Sequence, residues 1–155
     1  METLIKTKNI EIALMLGATM ESWYPPNEAT KSSGLYLSFP ICLYTYIENG
    51  VEKQHKWYPD NKKYHGDSLL KFDSDANWQF ETIEFIENHK DFEDFRIEPS
   101  QIILRASNQK SKLYSIINYS NNGRFFSNSG IISKKEAIFE ALFKFSQYLK
   151  ENKKI

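Results

Sequence analysis

The sequence predicts a single α+β domain spanning residues 1–155, and three observations carry that expectation. Two stretches, Leu69–His89 and Ser133–Leu149, begin with helix-opening chemistry and continue with apolar residues at helical spacing. Several short runs rich in β-branched and aromatic residues lie before and between them, one pair joined by Asn49-Gly50. A chain of 155 residues with 41% hydrophobic content is long enough to bury one sizeable core and short for two.

The stretch around which the chain is organised reads LLKFDSDANWQFETIEFIENH. Asp73, Ser74 and Asp75 can accept bonds from orphan N–H groups at a helix start, and the carboxylates suit the positive end of the helix dipole. Trp78, Phe80, Ile83, Phe85 and Ile86 then occupy more than one side of the helix, which predicts broad coverage. The last helix opens on Ser133-Lys-Lys-Glu136, a capping box, and Ile138, Ala141, Leu142, Phe145 and Leu149 form its apolar stripe. Lys150, Lys153 and Lys154 suit its negative end.

Ahead of these, Thr7 is placed to cap a short helix, Lys8–Leu16, that stops at Gly17. Thr19–Ser33 has no period and reads as a loop containing Trp23-Tyr24-Pro25-Pro26. Leu35–Phe39 and Ile41–Glu48 read as strands separated by Pro40. Asn49-Gly50 suits a type I′ turn into the polar return arm Val51–Tyr58. Pro59–Asp67 reads as a polar loop. Beyond the central helix, Phe95–Ile97, Gln101–Ala106 and Leu113–Tyr119 read as strands, with a turn at Ser107–Lys112. Asn121-Asn122-Gly123 marks another turn, and Arg124-Phe125-Phe126 the start of a last short strand.

Several classes of function are disfavoured. No apolar run approaches the roughly 20 residues that cross a bilayer. The first residues carry Glu2 and Glu11 and lack a continuous apolar core, so no signal peptide is expected. Cys42 stands alone, which excludes an internal disulfide and fits a reducing cytoplasm. Its apolar, strand-like setting favours an inert thiol. One cysteine and three histidines, His55, His65 and His89, are scattered too widely in sequence to spell a zinc motif, so no metal site and no cofactor is assigned. The pairs Asp73/Asp75 and Asp91/Asp94 read as capping and solvated carboxylates. There is no phosphate loop, dinucleotide fingerprint or nucleophile elbow, and no catalytic residue is assigned.

Charge is balanced overall and segregated along the chain. Residues 67–98 hold ten acidic and three basic groups, residues 99–155 three acidic and ten basic. The plain reading is mutual neutralisation in the fold; the sharper one is a bipolar surface that steers a charged partner. A duplex-binding protein would carry an overall basic excess, so nucleic acid is disfavoured.

Three pieces, in this order, resemble the phage ABA-sandwich family. They are Asn9-Ile-Glu-Ile-Ala13-Leu-Met-Leu-Gly17, then Leu70-Lys-Phe72-Asp73-Ser74-Asp75-Ala-Asn-Trp78 continuing to Glu87, then Glu136-Ala137-Ile-Phe-Glu-Ala141-Leu-Phe-Lys-Phe145. They cover about a quarter of the chain. The resemblance implies an antiparallel sheet of about five to six strands with helices packed on its faces, an α/β/α sandwich. It transfers no catalytic residue. It makes residues 24–65, with their Asn-Gly hairpin, an insert.

What remains is an aromatic and basic set: Trp57, Tyr58, Tyr64 and His65 around the insert, with Arg105 and Arg124 in the acid-free tract Pro99–Gly130. Arginine forks pair with carboxylate or phosphate, and aromatic faces stack on rings. The set suits binding of a small anionic, nucleotide-like ligand; with the phage-type accessory role that the resemblance implies, the expectation is a protein that binds a host protein or such a ligand without turning it over. The alternatives are an enzyme on a nucleotide-like substrate and a structural protein that forms a homo-oligomer. The plain reading of the same set is surface arginines and core aromatics; in the recognition reading Trp57 and His65 lie at the surface, where substitution would change stability by under about 0.5 kcal/mol.

Overall fold

The computed structural model describes residues 2–22, 35–120 and 132–152. Helix α1 (Glu2–Met15) leads into strand β1 (Thr19–Ser22). Then come β2 (Leu35–Ser38), β3 (Tyr44–Glu48), β4 (Val51–His55) and β5 (Tyr64–Gly66). Helix α2 (Ala76–Glu87) is followed by β6 (Phe92–Glu98), β7 (Gln101–Ser107) and β8 (Lys112–Asn118), and α3 (Lys134–Glu151) closes the order.

The architecture is α+β, but the single five-to-six-stranded sheet is not formed among these residues. Three small antiparallel sheets take its place, ordered β1-β2-β5, β3-β4 and β6-β7-β8. Pro40, without an N–H, follows the last residues of β2, and the chain leaves the first sheet there. The β3-β4 hairpin is polar on much of both faces, so it cannot sit as a covered central strand pair. Its turn is as the sequence indicated: Asn49 and Gly50 have φ of 53° and 77°, the left-handed pair of a type I′ turn.

Two strands lie where loops were expected. β1 pairs with β2 from Thr19 opposite Ser38 to Ser22 opposite Leu35, and all four of its residues are exposed. An edge strand with no buried face leaves no alternation to read. β5 pairs Leu37 with His65, and three residues are too few to show a period.

Helix α1 begins at Glu2, five residues before the expected cap, so Thr7 lies inside it. The Thr7 hydroxyl donates to the Thr3 carbonyl at 2.9 Å, which lets a threonine sit within a helix without an unpaired group. Its end is as read. Gly17 has φ of 91°, its N–H bonds Leu14 O at 3.0 Å, and Ala18 N–H reaches back to Ala13 O at 3.1 Å. That is the paired bonding of a Schellman end. A Cβ at Gly17 would also come within 3.3 Å of Pro40, so glycine answers both a torsional and a steric demand.

Asp75 is the residue that caps α2, accepting from Asn77 N at 2.8 Å and Trp78 N at 3.4 Å. Asp73 instead accepts from Asn9 Nδ2 at 2.9 Å and ties the cap to α1. Trp78, Gln79, Thr82, Ile83 and Ile86 are buried, while Phe80 is 55% exposed, so α2 is covered on one broad face and not all round. Buried Gln79 donates to the carbonyls of Phe72 and Lys135 at 2.9 and 3.0 Å, which satisfies its amide.

The capping box of α3 forms in both directions, Glu136 N to Ser133 Oγ at 3.1 Å and Ser133 N to Glu136 Oε1 at 3.3 Å. Ser133→Ala is therefore expected to cost about 1 kcal/mol. Adding Glu136→Ala should cost less than its independent share, because each residue serves the other. A double-mutant cycle in urea melts checks this; strict additivity would mean the two bonds do not act together.

The core gathers α3 between α1 and the β6-β7-β8 sheet, with α2 against α3 and β6. Ile102, Leu104 and Ala106 of β7 point inward, and β8 alternates half-buried Leu113, Ser115 and Ile117 with exposed Tyr114 and Ile116. The inward face of that sheet is packed, and the opposite face is largely exposed, at Arg96, Arg105, Tyr114 and Ile116, with Ile103 covered on it.

Candidate functional site

Past β4 the chain carries Lys56-Trp57-Tyr58 away from the hairpin and toward the core. Trp57 is 6% exposed and lies flat on Phe39, with centroids 4.5 Å apart and planes 3° from parallel. Its ring meets Trp78 edge-on at 5.3 Å and Phe72 at 5.9 Å. His65, 4% exposed, sits edge-on to both Phe39 and Trp78, at 5.6 and 4.8 Å. Trp57 and His65 are thus core residues, as the plain reading of core aromatics has it and against their surface placement in the recognition reading. The residues Val51, Lys53, His55 and Trp57 do alternate on one face, but only the far end of that face reaches the core.

His65 Nε2 lies 3.1 Å from Asp60 Oδ2. Burial holds the His65 pKa below its usual value, and the Asp60 carboxylate opposes that shift only in part. The imidazole is accordingly neutral near pH 7. Its Nδ1 and the Trp57 Nε1 are buried with no hydrogen-bond partner among the described residues.

Beside this stack a recess of about 190 Å³ opens, lined by Phe39, Ile41, Trp57 and Tyr58 together with Lys56, Lys62 and Lys63. Tyr58 is 55% exposed and the three lysines are all exposed. Among the described residues none of these lysines is in an ion pair; the nearby Asp60 carboxylate is engaged by His65 and by the Lys62 backbone N–H at 3.1 Å. Lys63 Nζ lies 5.5 Å from the centroid of Tyr64, which is exposed at the neighbouring β5 and meets Tyr36 edge-on at 5.4 Å.

Of the six residues picked from the sequence, Trp57 and Tyr58 line the recess, and Tyr64 and His65 follow it on β5. Arg105 is exposed on β7, opposite Asp94 and Tyr114 in a different sheet, and does not line the recess. Arg124 lies outside the described residues, as do the turn at 121–123, the strand start at 124–126 and the Trp23–Pro26 segment. Lys56, Lys62 and Lys63 went unselected. The adjacent lysines at 62 and 63, in a polar loop between Trp57-Tyr58 and Tyr64, are the available signal.

A larger recess, of about 600 Å³, lies between the starts of α2 and α3 and is lined by Phe80, Ile97 and Ile138 among others. Of its polar groups Gln79 bonds two carbonyls, Ser133 serves its capping box and Lys135 donates to Ser74 O at 3.0 Å, which leaves Lys134 to orient a ligand, against three lysines at the smaller recess.

A second group of functional side chains joins the hairpin to α2. His55 Nε2 is 2.8 Å from Glu81 Oε2 and 3.2 Å from Glu84 Oε2, and the His55 ring stacks on Tyr44 at 4.9 Å and 14°. Burial, reinforced by Glu84, Glu81, Tyr46 and Glu87, pushes the Tyr44 phenol up to about 12. The Cys42 thiol donates to the Tyr44 carbonyl at 3.4 Å and is half-buried. The ion pairs Lys6–Asp67, Lys8–Glu140 and Lys150–Glu11 show α1 exchanging charge with both the acidic and the basic stretch.

No helix among the described residues is long and apolar enough to cross a membrane. No family model, curated protein or solved structure matches the chain.

Proposed function

We propose that the protein binds, without turning over, a small anionic ligand that carries a flat ring, and that the Phe39–Lys63 recess is the place. The observation that supports this most is the juxtaposition of Trp57 and Tyr58 with three lysines free of ion pairs among the described residues. A recess of about 190 Å³ is below the roughly 300–1,000 Å³ of drug-sized sites, which favours a mononucleotide-sized or smaller ligand over a dinucleotide. Exposed charge pairs contribute at most about 1 kcal/mol each. Stacking on an aromatic contributes about 1–3 kcal/mol. Dissociation constants in the micromolar to millimolar range follow. The phage-type accessory role agrees with a binding protein and rests on the sequence resemblance alone. Exposed Ile41 and Tyr58 beside the recess favour, as a second reading, a host-protein surface docking at the same place.

A thermal-shift screen of mononucleotides, followed by titration, tests the proposal. One of them is expected to raise the melting temperature and to be recovered unchanged. Tyr58→Ala and Lys62→Gln, both at exposed positions, should each weaken it by about threefold to tenfold, the worth of about 0.7–1.4 kcal/mol. A panel that leaves the melting point unmoved, or variants that bind as the parent does, would remove the recess as an anion site.

A further inference from the structure

Helix α2 carries Glu81, Glu84 and Glu87 and no basic residue. Glu81 and Glu84, three apart, share one helix face. The β3-β4 hairpin lays His55 against that face, so that one donor atom from each of His55, Glu81 and Glu84 falls within 4.8 Å of the others. The Nε2 to carboxylate distances are 2.8 and 3.2 Å. Ligand atoms of a four-coordinate zinc, with bonds of about 2.0–2.2 Å, lie about 3.3–3.5 Å apart in a tetrahedron. A shift of a few tenths of an ångström outward for His55 and Glu81, with the two carboxylate oxygens brought to the same spacing, would seat a cation between them, and both movements are within reach of two glutamate side chains.

The surroundings suit one. The His55 and Glu81 side chains are each 20% exposed, so two donors are partly withdrawn from water, and Glu84 at 54% keeps the group open on one side. Tyr44 stacked on the imidazole fixes the ring plane, and Asn88 Nδ2 holds the Tyr44 hydroxyl at 3.1 Å. The nearest lysine on the same strand, Lys53, is turned to Glu48 at 3.3 Å. Two carboxylates therefore share one imidazole.

We propose that His55, Glu81 and Glu84 form a divalent transition-metal site of the Zn²⁺ class that ties the β3-β4 hairpin to α2. One imidazole nitrogen with two carboxylate oxygens is a borderline donor set that selects zinc over the hard, oxygen-seeking Mg²⁺ and Ca²⁺. Three protein donors leave a further position for water or a ligand, as open zinc sites do. The benefit to the fold is specific. A two-stranded hairpin is not stable by itself, and a metal bridge from β4 to α2 would hold this one in place by linkage.

The test uses the full chain stripped with a chelator. Calorimetry should show one Zn²⁺ bound per chain with a dissociation constant below about 100 μM. Co²⁺ should develop visible ligand-field bands at the same stoichiometry, and saturating Zn²⁺ should raise the melting temperature. Mg²⁺ and Ca²⁺ should bind at least about tenfold more weakly. Glu81→Gln and His55→Gln should each lower zinc affinity about tenfold or more, whereas Glu52→Gln, a carboxylate of the same strand outside the group, should leave it unchanged. Glu84→Gln, at the exposed end, guards against a variant that fails to fold; near-UV circular dichroism confirms its native packing. Absence of saturable zinc binding overturns the proposal, as does undiminished affinity in folded Glu84→Gln and Glu81→Gln, or tighter binding of Ca²⁺ than Zn²⁺.

Discussion

Replacing Trp78 with alanine is expected to lower stability by about 3–5 kcal/mol, the range for deleting a large buried aromatic. Trp78 is 1% exposed and stands at the meeting point of three other rings, Phe72 at 5.0 Å, His65 at 4.8 Å and Trp57 at 5.3 Å, all edge-on to it. Those three come from the segment before α2, from β5 and from the end of the hairpin. The cavity left by alanine would therefore loosen separate parts of the chain at once. Its walls are held by two sheets and a capped helix, so little collapse is available to offset the loss. Urea denaturation with an unchanged slope measures it. A loss below about 1 kcal/mol would mean that α2 is not seated on this cluster.

Trp57→Ala is expected to cost a similar amount, about 3–5 kcal/mol, because the ring is buried and stacked flat on Phe39. Trp57→Phe should cost distinctly less. It keeps an aromatic face against Phe39 and removes an indole N–H that is buried without a partner among the described residues. The Trp57→Ala and Trp78→Ala losses should also fall short of additivity when combined, since the rings touch and share one cavity. Melts of the three variants and the double mutant check all of this. A Trp57→Ala protein within about 0.5 kcal/mol of the parent would return the residue to the surface. For ligand binding the consequence is practical: loss of binding in Trp57→Ala cannot be separated from loss of fold. Tyr58 and Lys62, exposed beside it, are the positions where the two effects come apart.

The candidate recess was only partly legible. Trp57 and Tyr58 stood out because two adjacent aromatics in a polar run have no obvious packing role. Arg105 is marked by its fork and its acid-free tract, yet the fold sets it on the outer side of β7. Type and local setting can mark a side chain as unusual; they do not say which unusual residues will meet. His55 and Glu81 are 26 residues apart, and the i, i+3 spacing of Glu81 and Glu84 is common on any solvated helix. Only the docking of the hairpin on α2 makes a group of them.

What the sequence by itself determined is the chemistry that acts within a few residues. A cap from the set Asp73, Ser74 and Asp75 and the Ser133–Glu136 box start helices because N–H groups there lack partners in any helix. Gly17 and Asn49-Gly50 end or turn the chain because few residues tolerate positive φ. What only the tertiary structure decided is whatever depends on closure between distant segments. The division into three sheets, the pairing of exposed β1 and three-residue β5 with β2, the start of α1 before Thr7, and the burial of Trp57 and His65 are of this kind. Each turns on which surface meets which. A residue's neighbours in sequence fix its torsions and its hydrogen-bonding needs, whereas the apolar area it loses to water is set by segments that local pattern does not reach.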